Sequence, residues 1–215
     1  PNKDGSKWDG HRCISLINHL PKKLEKLIDN RMREVELIKK PLHKAQKGFM
    51  TNSSIDNALH ESASYIENAL KNNKEVIGIY LDFSMAFNLI SFQSIEKAME
   101  EFNIPKILRC WLINFLKNRM LRARESQSDE HFRCSAGVPQ GATSAPTLFI
   151  MAINGLLTKL SKITDIFKMN EKQRKAFTQG FADDLELLIK GTKNRRNDML
   201  KIADDIMSIV LGWCE

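Results

Sequence analysis

The spacing of apolar and polar residues along the chain predicts mostly helices. Apolar side chains recur every three or four positions in five segments, which is the period of an amphipathic helix. These predicted helices cover residues 14–38, 54–70, 91–102, 105–117 and 197–213. A further segment, 147–160, has the apolar density of a well-buried helix. In the helix over 54–70, the pattern places five residues on one face: Ile55, Leu59, Ser62, Ile66 and Leu70.

Three other segments have the composition of strands. Residues 75–83 (EVIGIYLDF) are rich in β-branched and aromatic side chains and have the length of a buried strand. Residues 176–189 contain two short apolar runs, which predict a hairpin, and weak alternation over 119–135 predicts a second hairpin. A polar loop is predicted over 164–174. Because helices and strands do not alternate strictly, the pattern favours an α+β fold with an antiparallel sheet backed by helices.

Composition narrows the class of protein. The chain has 215 residues, of which 42% are hydrophobic and 27% charged, so it resembles an average globular protein rather than a disordered one. No apolar run approaches the roughly 20 residues of a membrane-spanning helix, so we expect no membrane partner. The four cysteines lie far apart without a Cys-x-x-Cys pair, which indicates neither a zinc site nor a disulfide framework. This cysteine usage favours a reducing intracellular compartment, nuclear or cytoplasmic.

The net charge of +7 is concentrated in two places. Residues 1–50 carry 12 basic and 6 acidic side chains, and the rest of the chain is nearly neutral. Within that remainder, a local basic cluster comprises Lys106, Arg109, Lys117, Arg119, Arg122 and Arg124. Each basic region fits a surface that faces nucleic-acid phosphates, and fits equally well the solvated face of a helix.

Three aspartates are the strongest candidates for chemistry. Asp183 and Asp184 lie at the tip of the predicted hairpin over 176–189, where adjacent like charges repel each other. An ordinary aspartate-rich turn is the alternative to a functional site. Asp82 also ends an apolar strand, and if that strand pairs beside the hairpin, three carboxylates converge at one end of a sheet. Such a cluster suits hard divalent cations such as Mg²⁺, which in pairs support nucleotidyl transfer. A nuclease or a phosphatase fits the carboxylates equally well.

Five sequence blocks occur in order along the chain: HRCISLINHLPKKLEKLI, AQKGFMTNSSIDNAL, YLDFSMAFN, GVPQGATSAPTLFIMAINGL and GFADDLELL. Together they resemble the reverse transcriptases of non-LTR (LINE-type) retrotransposons. The first two blocks resemble the family's Tyr-Arg-Pro-Ile-Ser and Gln-x-Gly-Phe-Arg blocks. The third resembles the strand with the first catalytic aspartate, the fourth the Pro-Gln-Gly block, and the fifth the Ala-Asp-Asp hairpin. The resemblance spans about residues 11–214.

The resemblance implies a right-hand polymerase fold, with fingers and a palm whose antiparallel sheet is backed by helices. By this interpretation residues 1–74 form basic, mostly helical fingers and residues 75–215 form the palm. Residues 103–135 are interpreted as an insertion on the fingers side. The segment stops just before the family's next palm block, and the thumb is expected to be absent from it.

The resemblance also implies roles for individual residues. Asp82, Asp183 and Asp184 are implied to bind two Mg²⁺ ions, with Mn²⁺ as an alternative, and to carry catalysis. Phe181 and Ala182 match hairpin positions beside the primer end. The implied nucleotide-binding residues are Arg12, Lys22, Phe87, Gln140 and Gly141.

Each implied nucleotide contact has a physical reason. Arg12 and Lys22 would offset the charge of the triphosphate, and Phe87 would clash with a 2′-hydroxyl and so select deoxynucleotides. Gln140 would line the nucleotide pocket, and Gly141 would let the backbone approach the base pair closely. The implied partners are an RNA template, a DNA primer and deoxynucleoside triphosphates, and the sequence identifies no protein partner.

Three positions depart from the family pattern. Cys13 replaces a usual Pro, Met50 replaces a usual Arg, and Asn88 replaces a usual Asp. None of them is an implied metal ligand. The first hypothesis is an RNA-directed DNA polymerase. Because of these departures, the alternative is a catalytically inactive retroelement copy that retains only nucleic-acid binding. An RNA polymerase that uses the same palm chemistry is the third hypothesis.

Overall fold

The computed structural model describes residues 14–122, 131–166 and 176–214. By its internal packing the chain divides into two compact units, each built from two stretches of sequence. The first unit comprises Pro1–Lys39 and Met85–Phe149, and the second unit comprises Lys40–Ser84 and Ile150–Glu215. The predicted fingers and palm divide the chain at residue 75, and that functional division stays a prediction.

Most helices and strands of the described residues lie within or close to the segments that the sequence pattern predicts, whereas the short helix α4 was not predicted. In chain order, the helices are α1 (His19–Arg31), α2 (Leu37–Lys39), α3 (Ile55–Lys71), α4 (Ala86–Leu89), α5 (Phe92–Glu101), α6 (Lys106–Lys117), α7 (Ala145–Ile166) and α8 (Arg196–Cys214). The strands are β1 (Glu75–Asp82), β2 (Met120–Leu121), β3 (Phe132–Arg133), β4 (Ala176–Phe181) and β5 (Asp184–Gly191). A π-helical turn, Met32–Glu36, joins α1 to α2, and a 3₁₀ turn, Lys193–Arg195, precedes α8. No helix in the described ranges is long and apolar enough to cross a membrane.

Short polar residues set the beginnings of two helices. The hydroxyl oxygen of Ser54 accepts a hydrogen bond from the N–H of Asn57 (3.1 Å), and that of Ser91 accepts from the N–H of Ser94 (3.0 Å). Such caps satisfy N–H groups that have no partner within the helix. They explain why α3 and α5 begin where the sequence pattern places them.

A three-stranded antiparallel sheet in the order β1-β5-β4 forms the centre of the second unit. Strand β1 pairs with β5 along its whole length, from Glu75 opposite Gly191 to Asp82 opposite Asp184. Strand β4 pairs with β5 as a hairpin, which is the hairpin predicted over 176–189. In the first unit, β2 and β3 form a separate antiparallel pair within the predicted segment 119–135. The sheets are antiparallel and mixed with helices, as an α+β fold requires.

Helix packing behind the sheet fixes the position of the β4-β5 hairpin. The side chains of Leu185, Leu187 and Ile189 on β5 are buried to 2% exposure or less. Gly180 on β4 has no side chain, and a Cβ atom there would lie 3.3 Å from Leu157 of α7. The bare backbone therefore lets α7 pack closely against the sheet.

The buried face of α3 is not the face that the sequence pattern predicts. The residues buried on α3 are Ala58, Ser62 and Ala69, whereas Ile55 and Leu59 are 58% and 63% exposed. Small side chains let α3 approach the sheet, and the larger apolar residues are left on the outside. The prediction of a helix is confirmed; on its predicted face Ser62 is buried and Ile66 is half-buried, whereas Ile55, Leu59 and Leu70 are exposed.

Two predicted boundaries also need correction. Residues 14–18 precede the first helix, which begins at His19 rather than at residue 14. Helix α7 continues to Ile166, so the loop predicted over 164–174 begins too early. Residues 167–174 of that predicted loop lie outside the described ranges.

Candidate active site

One end of the three-stranded sheet carries three carboxylates. Asp82 is the last residue of β1 and lies directly opposite Asp184, the first residue of β5. Asp183 lies in the connection between β4 and β5. The N–H of Phe83 donates to the carbonyl of Asp183 (N···O 3.4 Å), which joins the end of β1 to this turn. Strand pairing therefore brings together the three aspartates that the sequence analysis singles out.

The turn that presents Asp183 is supported by residues 45–48. Ala182 in the turn has a left-handed backbone (φ 59°), which is costly for a residue with a side chain. Both backbone hydrogen bonds of Gly180, at 2.7 and 2.8 Å, are made with residues 45–48. A Cβ atom on Gly48 would overlap the backbone nitrogen of Ala182, so glycine alone allows this approach. The Gln-x-Gly-Phe block thus acts as a support for the turn.

The three carboxylates repel one another. Partial burial and then the negative charges of Asp183 and Asp82 raise the pKa of Asp184. Within the described ranges, none of the three aspartates forms an ion pair with a basic side chain. Uncompensated like charges at one place are unfavourable, so this cluster fits a bound cation.

The donor set suits a hard divalent cation. Carboxylate oxygens are ligands that Mg²⁺ and Mn²⁺ prefer. Among the described residues, no three acidic, His or Cys side chains already surround a point that could hold a metal ion. The aspartates are therefore neighbours whose side chains must converge on an ion, and a cation would relieve the repulsion that contributes to the raised pKa of Asp184.

A cleft of about 250 Å³ adjoins the carboxylates. Its lining residues come from all three strands and are Tyr80, Leu81, Asp82, Gln179, Phe181, Asp184, Leu185 and Glu186. Because residues two apart in a strand share a face, Tyr80 and Glu186 form the cross-strand row next to Asp82 and Asp184. The cleft therefore continues from the carboxylates along one face of the sheet.

Glu186 organises the polar side chains of this cleft. It accepts a hydrogen bond from the hydroxyl of Ser62 and, at 3.5 Å, from the side-chain amide of Gln179. Burial, together with the charge of Glu186 and a hydrogen bond to it, raises the pKa of Tyr80. None of these residues was predicted to belong to the site, although the period-two alternation from Asp82 back to Tyr80 contained the signal.

In the first unit, two implied nucleotide-binding residues belong to one network. The carbonyl of Phe87 accepts from the N–H of Val138 (2.7 Å), and the side-chain amide of Gln140 donates to that of Asn88 (3.3 Å). The Phe87 ring stacks on Phe149 with the ring centroids 4.7 Å apart. The network therefore holds the Phe87 ring in place and connects it to the loop that carries Gln140.

Two glycines shape this loop. Gly137 (φ 82°) and Gly141 (φ 100°) have left-handed backbones, which glycine adopts without strain. A Cβ atom on Gly137 would overlap the carbonyl of Asn88. The carbonyl of Gly137 also accepts from the guanidinium of Arg119 at 2.7 Å. Arg119 belongs to the basic cluster of the sequence, and its pattern there did not predict this structural contact.

Two buried carboxylates anchor the other end of the loop. Glu25 on α1 is fully buried and accepts hydrogen bonds from the N–H and the hydroxyl of Ser144, at 3.0 and 2.6 Å. Asp29, one turn later, accepts from the hydroxyl of Thr147. Neither acid was predicted from the sequence to have a role, although both share a helix face with the buried Ile28.

The other implied contacts are placed as follows. Lys22 is exposed on α1, and Arg12 lies outside the described ranges. Phe181 ends β4 and lines the cleft, and Ala182 follows it in the turn. The aspartates belong to the second unit, whereas Lys22, Phe87, Gln140 and Gly141 belong to the first. The roles implied for these residues stay predictions.

The sequence is similar to a protein family and to individual proteins that are all described as polymerases making DNA from RNA. Residues 1–215 match the protein family described as reverse transcriptase (RNA-dependent DNA polymerase). The chain is 26% identical over 218 residues to the probable RNA-directed DNA polymerase from transposon BS of Drosophila melanogaster, covering 100% of this chain and 23% of that protein. It is 28% identical over 184 residues to the RNA-directed DNA polymerase from mobile element jockey of Drosophila melanogaster, covering 85% of this chain and 19% of that protein. The chain thus spans about a quarter or less of the length of these relatives.

Solved structures share the fold. An apo telomerase from Candida tropicalis, truncated from its C-terminal domain, superimposes with a TM-score of 0.56 at 14% identity, covering 88% of this chain and 36% of that one. The apo telomerase from the same organism gives a TM-score of 0.55 at 13% identity, covering 88% of this chain and 33% of that one. At such low identity, these likenesses concern the fold alone.

Proposed function

The chain belongs to the reverse transcriptase (RNA-dependent DNA polymerase) family, and from this premise we infer that it carries the catalytic core of an RNA-directed DNA polymerase of a non-LTR retrotransposon. The observation that supports the inference most is the cross-strand pair of Asp82 and Asp184 with Asp183 in the adjoining turn. Its substrates are an RNA template, a DNA primer and deoxynucleoside triphosphates. It acts inside the cell, in the nucleus or the cytoplasm.

The chemistry is nucleotidyl transfer. The 3′-oxygen of the primer forms a bond to the α-phosphorus of the incoming nucleotide, the bond from that phosphorus to pyrophosphate breaks, and the 3′-hydroxyl proton is released. The family depends on divalent metal, and Asp82, Asp183 and Asp184 would hold two Mg²⁺ or Mn²⁺ ions. When bound, such ions supply a Lewis acid for the attacking and leaving oxygens.

The residues of the chain contribute position and charge. The turn supported by Gly48 holds Asp183 beside the end of β1, so the carboxylates need little rearrangement to converge. Phe181 and Ala182, which lead into this turn, are assigned to the primer end. The exposed cation Lys22, together with Arg12, is assigned to the triphosphate.

Phe87 is assigned to select the sugar. Its ring is stacked on Phe149, and its carbonyl is hydrogen-bonded to the loop of Gln140 and Gly141, so the ring cannot easily move aside for a 2′-hydroxyl. Replacing Phe87 with Ala should raise the use of ribonucleotides relative to deoxynucleotides by roughly tenfold or more. Competing incorporation of the two nucleotide types measures this ratio, and Phe115→Ala, on a helix outside this network, is a matched control.

In right-hand polymerase terms, residues 1–74 are assigned to the fingers and 75–215 to the palm, with the β1-β5-β4 sheet as the palm sheet. This assignment follows from the resemblance of the sequence blocks. The antiparallel sheet and the telomerase likeness support the polymerase type of fold.

The observations do not favour an inactive copy. All three aspartates are retained and brought together by strand pairing. At one of the departures from the family pattern, Asn88 accepts a hydrogen bond from Gln140, so the Asn there makes a specific contact. Of the other two, Met50 forms no hydrogen bond with the three aspartates within the described ranges, and Cys13 lies outside those ranges.

Primer extension on an RNA template tests the proposed function. The protein is expressed with its native flanking sequence, and deoxynucleotides are compared with ribonucleotides. We expect incorporation of deoxynucleotides by the wild type and none by Asp183→Asn, whereas the exposed helical control Asp204→Asn should retain activity. Equal activity of Asp183→Asn and wild type would overturn the assignment, and equal use of ribonucleotides would favour an RNA polymerase.

A further inference from the structure

A second groove lies at the end of the sheet opposite to the aspartates. It has a volume of about 730 Å³ and is formed by the end of α3, the beginning of β1 and the turn before α8. Glu75 and Gly191 form the strand pair at this end, whereas Asp82 and Asp184 form the pair at the other. The seven residue steps of β1 between the two ends correspond to roughly 23 Å. The groove is therefore separate from the candidate active site.

Three of the eight residues that line this groove are basic. Lys74, Lys193 and Arg196 line it together with one carboxylate, Glu75, so the lining carries an excess of positive charge. Among the described residues, none of these three cations takes part in an ion pair, although other lysines of the second unit do. The positive charge of the groove is therefore left without an internal partner.

A fourth cation lies near the groove without lining it. Lys190 lies on β5 opposite Val76, one of the lining residues, and its ammonium lies 4.5 Å from the centre of the Tyr65 ring. Burial and the positive charge of Lys74 both lower the pKa of Lys190. Cations crowded in this way are stabilised by a bound anion.

The shape and the lining identify the class of anion. The groove is larger than the cleft beside the aspartates, and three cations along it suit a ligand with several spaced negative charges. None of the lining residues is aromatic, so the groove offers no surface on which a base could stack. Contacts with phosphates alone do not depend on base sequence.

We propose that this groove binds the sugar–phosphate backbone of the template RNA, at a position apart from nucleotide addition. The choice of RNA rests on the proposed function, which places an RNA template on the same protein. The groove contributes affinity for the template in a salt-dependent and sequence-independent way, and it takes no part in bond formation. At 3.4 Å per nucleotide of a helical strand, its separation from the aspartates corresponds to about seven nucleotides.

RNA binding by charge-neutralised variants tests this proposal. The triple variant Lys74→Gln, Lys193→Gln, Arg196→Gln is compared with Lys159→Gln, Lys162→Gln, Lys201→Gln, which removes three exposed lysines of the second unit outside the groove. Affinity for single-stranded RNA of two unrelated sequences is measured by fluorescence anisotropy over a salt series, with chelator present and no nucleotide. The protein again carries its native flanking sequence.

The groove variant should lose about tenfold or more in affinity for both RNAs. Its slope of log affinity against log salt should fall by about 2, because each phosphate contact with single-stranded nucleic acid contributes about 0.7. The control should bind nearly as the wild type does, and the charge-preserving variant Lys74→Arg, Lys193→Arg, Arg196→Lys should also retain affinity. Equal losses in groove variant and control, or no loss in either, would overturn the proposal.

Incorporation assays distinguish a failure of the groove proposal from a failure of the proposed function. At saturating RNA, the groove variant should incorporate deoxynucleotides at the wild-type rate, and a lower rate there would overturn the separation of the groove from the chemistry. Asp183→Asn should bind RNA as the wild type does while lacking incorporation. Absence of incorporation by the wild type itself would count against the proposed function, whereas the binding comparison in chelator would still decide on the groove.

Discussion

Each of the two units contains a group of carboxylates, and the two groups differ in the partners that surround them. In the first unit, Glu25 and Asp29 are buried; Oε1 of Glu25 accepts hydrogen bonds from Ser144, and Oδ1 of Asp29 accepts one from Thr147. In the second unit, Asp82, Asp183 and Asp184 stand at a sheet end without an ion-pair partner among the described residues.

This difference in partners distinguishes acids that stabilise the fold from acids that are suited to bind a ligand. A buried carboxylate whose donors come from the protein stabilises the fold, because removing it would leave those donors unsatisfied. Neighbouring carboxylates without donors destabilise one another, and a bound cation can offset that repulsion. Replacing an acid of the first kind should therefore cost stability, and replacing one of the second kind should cost activity.

Among the variants that test this difference between the two groups of acids, Asp82→Asn should have the largest effect, which is a loss of nucleotide incorporation. We expect nucleotide incorporation to fall by about 10³-fold, because a carboxylate that holds metal is lost. The free energy of unfolding without metal should stay unchanged or rise slightly, because one repelling charge is gone. Single-turnover incorporation and urea unfolding of the same variant measure the two quantities. A stability loss that accounts for the lost activity would remove the distinction between the two groups.

Replacing Glu25 with Ala should have the second largest effect. The change leaves the N–H and the hydroxyl of Ser144 without an acceptor in a buried place, which should cost about 3 kcal/mol of unfolding free energy. Glu25→Gln keeps an acceptor oxygen and should cost less than half as much. Glu34→Ala, an exposed acid in the turn after α1, is the control and should cost little. A small effect of Glu25→Ala would contradict the structural role.

Addition of Mg²⁺ should raise the free energy of unfolding by a moderate amount, because the ion binds the carboxylates of the second unit. At a concentration ten times the dissociation constant, binding to the folded state alone adds about 1.4 kcal/mol. Thermal unfolding with and without Mg²⁺ should show this gain for wild type and for Glu25→Gln, but not for Asp184→Asn. An equal gain in Asp184→Asn would show that Mg²⁺ binds elsewhere.

The pH dependence of stability should show the smallest effect. The pKa of Asp184 is raised by burial and by Asp183 and Asp82, so its folded-state pKa lies above the unfolded value. The folded state then binds the proton more tightly, and the resulting stability is present below the unfolded pKa and lost as the pH rises through the folded pKa. In metal-free buffer, wild type should gain stability relative to Asp184→Asn as the pH falls through this window. Parallel pH profiles would contradict the repulsion.

Much of the fold could be predicted from local pattern. The strand over 75–83 and the hairpin over 176–189 were identifiable because β-branched and apolar runs end at charged or turn residues. Their pairing placed Asp82 beside Asp184, which no single segment could establish but which the sequence blocks implied together. The positions of the aspartates were therefore the most predictable part of the candidate site.

Helix faces were much less predictable, because burial on α1 and α3 does not follow hydrophobicity alone. On α1, Glu25 and Asp29 are buried while Leu20 and Leu27 are 78% and 66% exposed. The acids are buried because distant residues supply their hydrogen-bond donors, which include Ser144, more than a hundred positions along the chain. A periodicity argument counts such acids as solvent-facing and therefore does not identify the buried face of α1.

Close backbone approach was the other hidden feature. Gly48 contacts Ala182, which is far from it in the sequence. This contact depends on a turn whose backbone conformation the sequence does not reveal. The block that contains Gly48 was recognised by resemblance, but its function as a support for the turn emerges only from the structure.

Mn²⁺ binding, followed by electron paramagnetic resonance, tests the central claim most directly. The claim is that Asp82, Asp183 and Asp184 hold divalent metal, whereas the buried acids of the first unit do not. Wild type and Glu25→Gln should bind Mn²⁺ with equal affinity, and Asp82→Asn and Asp184→Asn should each bind at least about tenfold more weakly. Unchanged binding by both aspartate variants, or an equal loss in Glu25→Gln, would contradict the account.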